Sequence, residues 1–250
     1  MLATQIPLLI GVGVVAGIVS TVASVASIVS YPALLAAGLP PLSANVTNTV
    51  ALAFTGAGAA AGSRPELTGQ AHRVWRLGMV TACGGATGAA LLLLTPARTF
   101  QIVAPGLIAI AALLILLRPV AGDLAAGGGR VRDRLLTAGV FTVAIYTGYF
   151  GAAGGILMLA VLAAKLGQPL VRVNAVKNVV GGMANAVAAT AFALFGPVRW
   201  AFAMPLAVGF LAGGWAGPAL VRRLPASALR VIVGVAGLLV AAKLALSTYR

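Results

Sequence analysis

The chain repeats itself at a fixed offset of 129 residues. Without any gap, Gly38, Pro40 and Asn45 fall on Gly167, Pro169 and Asn174, and Gly85, Gly88 and Pro96 fall on Gly214, Gly217 and Pro225. A duplicated apolar unit limits the fold more than any single motif here. Two related halves enclosing one central site are the construction of many secondary transporters.

Composition places the duplication in a membrane. Apolar residues make up 61% of the 250 positions and charged residues 8%, against roughly 25% charged in soluble domains. No loop exceeds about sixteen residues, so no soluble domain is expected. The 17 Lys and Arg face only Glu66, Asp123 and Asp133, which gives a formal charge of +14. These cations sit in short loops between apolar runs, where they orient helices toward the cytoplasm. No nucleic-acid partner is expected. The single cysteine, Cys83, excludes an intramolecular disulfide. The opening MLATQIPLLIG lacks the charged region of a signal peptide and reads as part of the mature protein.

Apolar runs fall at about 6–37, 42–62, 77–94, 100–118, 135–166, 174–195, 200–221 and 229–248. Six have the roughly 17–25 residues of a crossing helix. The first and fifth, with about 32 residues each, would be roughly 48 Å long against a core of about 30 Å. Both carry small or polar residues at their middles, GIVSTVASVASIVSYP from Gly17 to Pro32 and YTGYFGAAGG from Tyr146 to Gly155. A membrane helix breaks at such places when the freed backbone faces protein or a wet cavity.

Charge decides whether each long run returns to its own side. A single crossing by each divides Lys and Arg about evenly. If each doubles back, Arg64, Arg73, Arg76, Arg118, Arg130, Arg132, Arg134, Lys165, Arg172, Lys177, Arg222, Arg223 and Arg230 share one face, leaving Arg98, Arg199, Lys243 and Arg250 on the other. That asymmetry is the one the positive-inside rule demands. The expected fold is therefore an all-α polytopic membrane protein of two inverted repeats, each with a broken or hairpin first helix. The eight segments give up to ten helical legs. The first repeat spans 1–118, a cytoplasmic linker 119–134 and the second repeat 135–250, with both termini outside.

Polar residues at depth mark the candidate path. V-N-A-V-K-N carries Asn174, Lys177 and Asn178, and its counterpart A-N-V-T-N-T carries Asn45, Thr47, Asn48 and Thr49. Each stretch opens a helix whose free amides carry about half a positive charge, which suits an anion. Asn45 and Asn174 read equally well as N-caps. Asn48, Lys177 and Asn178 lie a turn deeper, where polar groups are costly and mark function. Lys177 either lines the path or snorkels to the interface. Asn185 shares the face of Lys177 and Asn178. It either extends a wet lining or bonds a neighbouring helix, and the second reading is preferred. In G-Y-F-G-A-A-G-G, Gly148 to Gly155, the glycines either pack helices or, at Gly154 and Gly155, turn backbone amides toward the anion.

Absences narrow the class. No Asp or Glu lies inside a span, which disfavours a carboxylate proton relay and a metal-cation permease. No paired carboxylates, Ser–His arrangement or metal-ligand cluster is visible, so neither enzymatic activity nor a metal or cofactor is expected. Gly-rich faces permit a homodimer without requiring one. A non-transporting membrane subunit or assembly factor, docking through its basic loops, is the alternative from another class.

The duplication, the glycine-rich Gly148–Gly155, the G-x-P…N elements at Gly38 and Gly167, and the ending V-R-R-L-P-A-S-A-L-R resemble the sulfite exporter TauE/SafE family of bacterial membrane proteins. The likeness covers nearly the whole chain. It implies inner-membrane transport of a small anion, sulfite or an organosulfonate. The first half departs from the pattern: V-A-S-I-V-S-Y-P at Val25–Pro32 stands where a second glycine-rich turn belongs.

Overall fold

The Gly–Pro element found in both halves builds the same turn twice. In the computed structural model Gly38 and Gly167 have φ of 90° and 56°, a region glycine occupies at little cost. Pro40 and Pro169 follow as N-caps with φ of −58° and −51°, which the proline ring sets in advance. Each turn ends a short helix and starts a long one. At the first, the amides of Gly38 and Leu39 donate to the carbonyls of Leu35 and Leu34, so the helix end keeps its hydrogen bonds.

The structure describes residues 2–23, 26–117, 130–150 and 154–221, with Ala242 and Leu246. Every element among them is a helix. They are α1 (Leu2–Ala23), α2 (Ala26–Ala36), α3 (Pro41–Gly62), α4 (Arg64–Leu67), α5 (Ala71–Leu94), α6 (Ala97–Leu117), α7 (Arg130–Tyr149), α8 (Gly154–Leu166), α9 (Leu170–Phe195) and α10 (Trp200–Val221). Four of these are long and apolar enough to cross a membrane: α1 over Gln5–Val22, α5, α9 and α10. The expected run 229–248 and the linker's residues 119–129 lie outside the described residues, Ala242 and Leu246 apart. So do Gly151 to Ala153 and all but Val221 of the V-R-R-L-P-A-S-A-L-R ending.

Each overlong run is built as two helices. Run one is divided between α1 and α2, and run five between α7 and α8. Pro32, one of the candidate breakers, is carried inside α2.

The halves interlock. α10 lies along α1 and α3, α5 lies along α7 and α9, and α3 crosses α9. Because α5 and α10 are counterparts at the 129-residue offset, each half's third long helix packs on the first two of the other half. Small residues permit this approach. Contacts climb together along α1 and α10, from Gly13 beside Gly209 to Thr21 beside Gly217, so these helices are parallel. α3 also runs parallel to α10, with Gly58 against Leu211 and Gly62 against Pro218. The first long run therefore begins and ends at one end of the bundle. Gly84 beside Ala144 and Gly88 beside Tyr149 make α5 and α7 parallel in the same way.

The counterparts α3 and α9 are antiparallel. Near the start of α3, Thr47 Oγ1 accepts from the amide of Arg199, just past the end of α9, at 3.0 Å. Near the start of α9, Arg172 donates to the carbonyls of Glu66 and Thr68, just past the end of α3, at 3.3 and 2.8 Å. Midway the helices touch at glycine: a Cβ on Gly56 would fall 2.6 Å from the Cα of Gly182. Arg64, Arg73, Arg76, Arg134, Lys165 and Arg172 gather at the end where α5, α7 and α9 begin, and Arg98 and Arg199 lie at the other.

Candidate functional site

Backbone contact at Gly56 and Gly182 brings the polar faces of α3 and α9 to a common gap. A cavity of about 60 Å³ occupies it, room for several waters or one small ion. α9 contributes Lys177, Asn178 and Asn185, and α3 contributes Thr55. Both short helices begin at the same cavity, α2 with Ala26 and Ser27 and α8 with Gly155. Ala26 and Gly155 are counterparts at the 129-residue offset. The first amides of a helix have no partner within it and carry about half a positive charge. Two such ends therefore face one small space from opposite halves. Ser20, Thr147 and Met158 complete much of the wall.

Among the described residues three polar atoms there are buried with no protein partner: Asn178 Nδ2, Asn185 Oδ1 and Thr55 Oγ1. A buried unpaired group costs roughly 1–3 kcal/mol, so a site that keeps three suits a polar guest. Lys177 is only 4% exposed and lines the cavity, which excludes snorkelling. It belongs to the interior rather than to the charges of the basic face. Among the described residues no group of three His, Cys, Asp or Glu side chains gathers to hold a metal.

The expected site residues divide into two sets. Lys177, Asn178 and Gly155 line the cavity. Asn48 spends its amide on structure: Oδ1 accepts from Ser30 at 2.6 Å and Nδ2 donates to Ser27 at 3.1 Å. Thr47 takes the amide of Arg199, as above, and Gly154 packs against Thr147. Asn45 and Asn174 are not N-caps, because Pro40 and Pro169 hold those places and the helices start earlier. Instead each reaches the broken helix of the other half. Asn45 Nδ2 donates to the carbonyl of Tyr149 at 3.1 Å and Asn174 Nδ2 to that of Thr21 at 3.0 Å. Both carbonyls lie in the last turn of α7 or α1, where no amide of the same helix reaches them.

Asn185 does not bond a neighbouring helix through Oδ1; it faces the cavity. Thr55 was missed, yet it follows Asn48 by seven residues as Asn185 follows Asn178. The same face rule would have found it. Ser27 carried no such signal, since its role depends on where run one breaks.

Aromatic rings pack together where α2, α6 and the end of α7 meet. Tyr31 and Phe150 meet edge-on with centroids 5.8 Å apart, and Phe100 packs 5.9 Å from Phe150 and 6.2 Å from Tyr149. Tyr31, Phe100 and Phe150 are fully buried. Their counterparts in the repeat are small where described: Ala160 for Tyr31, Thr21 for Phe150 and Ser20 for Tyr149.

A family model described as Sulfite exporter TauE/SafE matches residues 9–244. The chain belongs to this family. It is 26% identical to a probable membrane transporter protein, YfcA, of Escherichia coli strain K12 over 251 aligned positions, covering 95% of this chain and 90% of that one. A second relative, the probable membrane transporter protein ORF9 of a Sinorhizobium species, is 26% identical over 211 positions, covering 81% of this chain and 78% of its own length. No solved structure matches. Membership makes the chain a membrane transporter of this family.

Proposed function

We propose that the chain carries a small oxyanion of sulfur across the bacterial inner membrane by alternating access around the cavity between α3 and α9. The observation that carries this reading is the convergence of the α2 and α8 N-termini on one small space beside Lys177. Half-helix N-termini aimed at an anionic group near the midplane are a known device of transporters. The unpaired Asn178 Nδ2 and Thr55 hydroxyl add donors for oxygen. A volume of about 60 Å³ favours a compact anion such as sulfite over an organosulfonate with a long tail. The family's description, a sulfite exporter, points to the same substrate.

The two repeats are inverted in this proposal. The antiparallel crossing of the counterparts α3 and α9 supports the inversion. The doubling back of both long runs agrees with it. The basic end faces the cytoplasm under the positive-inside rule, so the start of α1 lies outside. The aromatic cluster at Tyr31, Phe100, Tyr149 and Phe150 then closes the outer end. Exchange of conformation between related halves would open that end and close the inner one.

Purified protein in liposomes tests this directly. Sulfite uptake above protein-free vesicles is expected, falling by about tenfold or more in Lys177→Gln, the loss expected for one hydrogen bond to a charged group. An unchanged thermal midpoint would separate that loss from misfolding. Folded wild-type protein that moves no oxyanion would overturn this substrate assignment.

A further inference from the structure

At the basic end α5 and α7 run side by side and then part. They meet at Gly84, where an added Cβ would lie 2.6 Å from Ala144 Cβ and 2.7 Å from the Phe141 carbonyl oxygen. Toward their N-termini a groove of about 580 Å³ opens between them. Arg76 and Arg134 stand at its rim, and Met79, Cys83 and Phe141 line it farther in. Arg76 to Cys83, like Arg134 to Phe141, spans seven residues or about 10 Å of helix rise. That distance carries a molecule from the headgroup layer into the upper hydrocarbon. Both arginines, Met79 and Cys83 are exposed.

The charge at the rim is unbalanced. Asp133, the one acid among the described residues that line the groove, accepts from the Lys165 ammonium, which also donates to Thr137 Oγ1 at 2.9 Å. That pairing holds the Asp133 carboxyl below its usual range, with Arg76 adding a lesser pull. Asp133 is thus answered by Lys165, and the rim keeps the positive charges of Arg76 and Arg134. The repeat makes the feature one-sided: at the matching positions of α10 and α1 stand Pro205 and Gln5. Of these two matched positions, the cationic rim over an apolar wall stands at the end that the proposed topology gives to the cytoplasmic leaflet, whose anionic lipids attract such cations.

We propose that this groove binds one anionic glycerophospholipid, its phosphate between Arg76 and Arg134 and the start of an acyl chain along Met79, Cys83 and Phe141. A free phosphate would use the arginines and leave the apolar wall uncovered. A zwitterionic headgroup would bring its own ammonium against them. The binding does not depend on which anion the central cavity carries.

The experiment titrates purified protein in neutral detergent with phosphatidylglycerol or phosphatidylcholine, read by native mass spectrometry and thermal unfolding. One phosphatidylglycerol per chain is expected to stay bound and raise the melting temperature, whereas phosphatidylcholine is not. Arg76→Gln and Arg134→Gln should each weaken the phosphatidylglycerol effect by about fivefold, the contribution of one cation near an anionic surface. Arg98→Gln, at the opposite end, should leave it unchanged. Equal retention of both lipids overturns the proposal, as does full displacement of lipid by an equal concentration of inorganic phosphate. Should the arginine variants fail to fold, the lipid comparison and the phosphate competition on the wild-type chain decide it.

Discussion

Asn174 and Asn185 sit on one helix eleven residues apart and do opposite things. Both leave Oδ1 unpaired, but Asn174 donates Nδ2 to the carbonyl of Thr21 in the last turn of α1, whereas Asn185 faces the cavity. Truncating each should therefore separate stability from transport. Asn174→Ala leaves a buried carbonyl without its donor and should cost about 1–3 kcal/mol, seen as a lower melting temperature. Asn185→Ala removes an unpaired acceptor, so the melting temperature should hold or rise while flux of bisulfite, whose acidic proton Oδ1 can accept, drops by roughly tenfold. The reverse pattern would remove Asn185 from the site. Depth and face made Lys177 and Asn178 legible in the sequence. The work of Asn45 and Asn174 was not, because their partners lie 104 and 153 residues away in the other half. Only the fold brings a helix start in one repeat to a helix break in the other.

The element that most constrains the site is the crossing of α3 and α9. Gly56 and Gly182 bring the two backbones so close that a methyl on either would overlap the other's Cα. Gly56→Leu must push the helices apart, and overpacking of this kind costs at least about 1–3 kcal/mol. The expected outcome is lost transport with either poor folding or a widened cavity. Gly11→Ala on α1 is its control, since no atom lies within 4 Å of a Cβ placed there and Gly11 does not line the cavity. Equal flux in wild type and Gly56→Leu would show that close contact at the crossing is not needed. Helix lengths foretold that runs one and five divide, because 32 residues overshoot the bilayer. They did not foretell which helix ends face the cavity. The sequence reading placed free amides at the long helices opening near Asn45 and Asn174 and, as one of two readings, at Gly154 and Gly155; only the second place lies at the cavity, where α8 begins opposite α2. Serine-rich run one has no glycine at its break, and Pro32 sits within α2. Serine can start a helix, but run one holds several, so the sequence does not single out Ala26 as the start of α2.

Across the whole molecule the scarcity of acid sets the energetics. The sequence holds three carboxylates; Glu66 lies in the short α4 and Asp133 in the first turn of α7, both at the basic end. Neither can relay protons through the cavity. The cavity instead offers Lys177 and two helix N-termini, and in the proposed cycle no cation travels with the anion, so each anion carried moves one negative charge across the membrane and responds to its potential. A monovalent anion leaving a negative interior gains about 2.3 kcal/mol per 100 mV, roughly a fifty-fold gradient. That is sufficient to drive export with no coupling ion. In vesicles clamped by a potassium gradient and valinomycin, about 60 mV positive inside should accumulate a monovalent oxyanion roughly tenfold. Reversing the clamp should empty them. A protonophore added under the clamp should change neither result, because no proton is carried. Accumulation that ignores the clamp but collapses with the pH gradient would mean that protons accompany the anion by a route independent of carboxylates, and the uncoupled mechanism would fall.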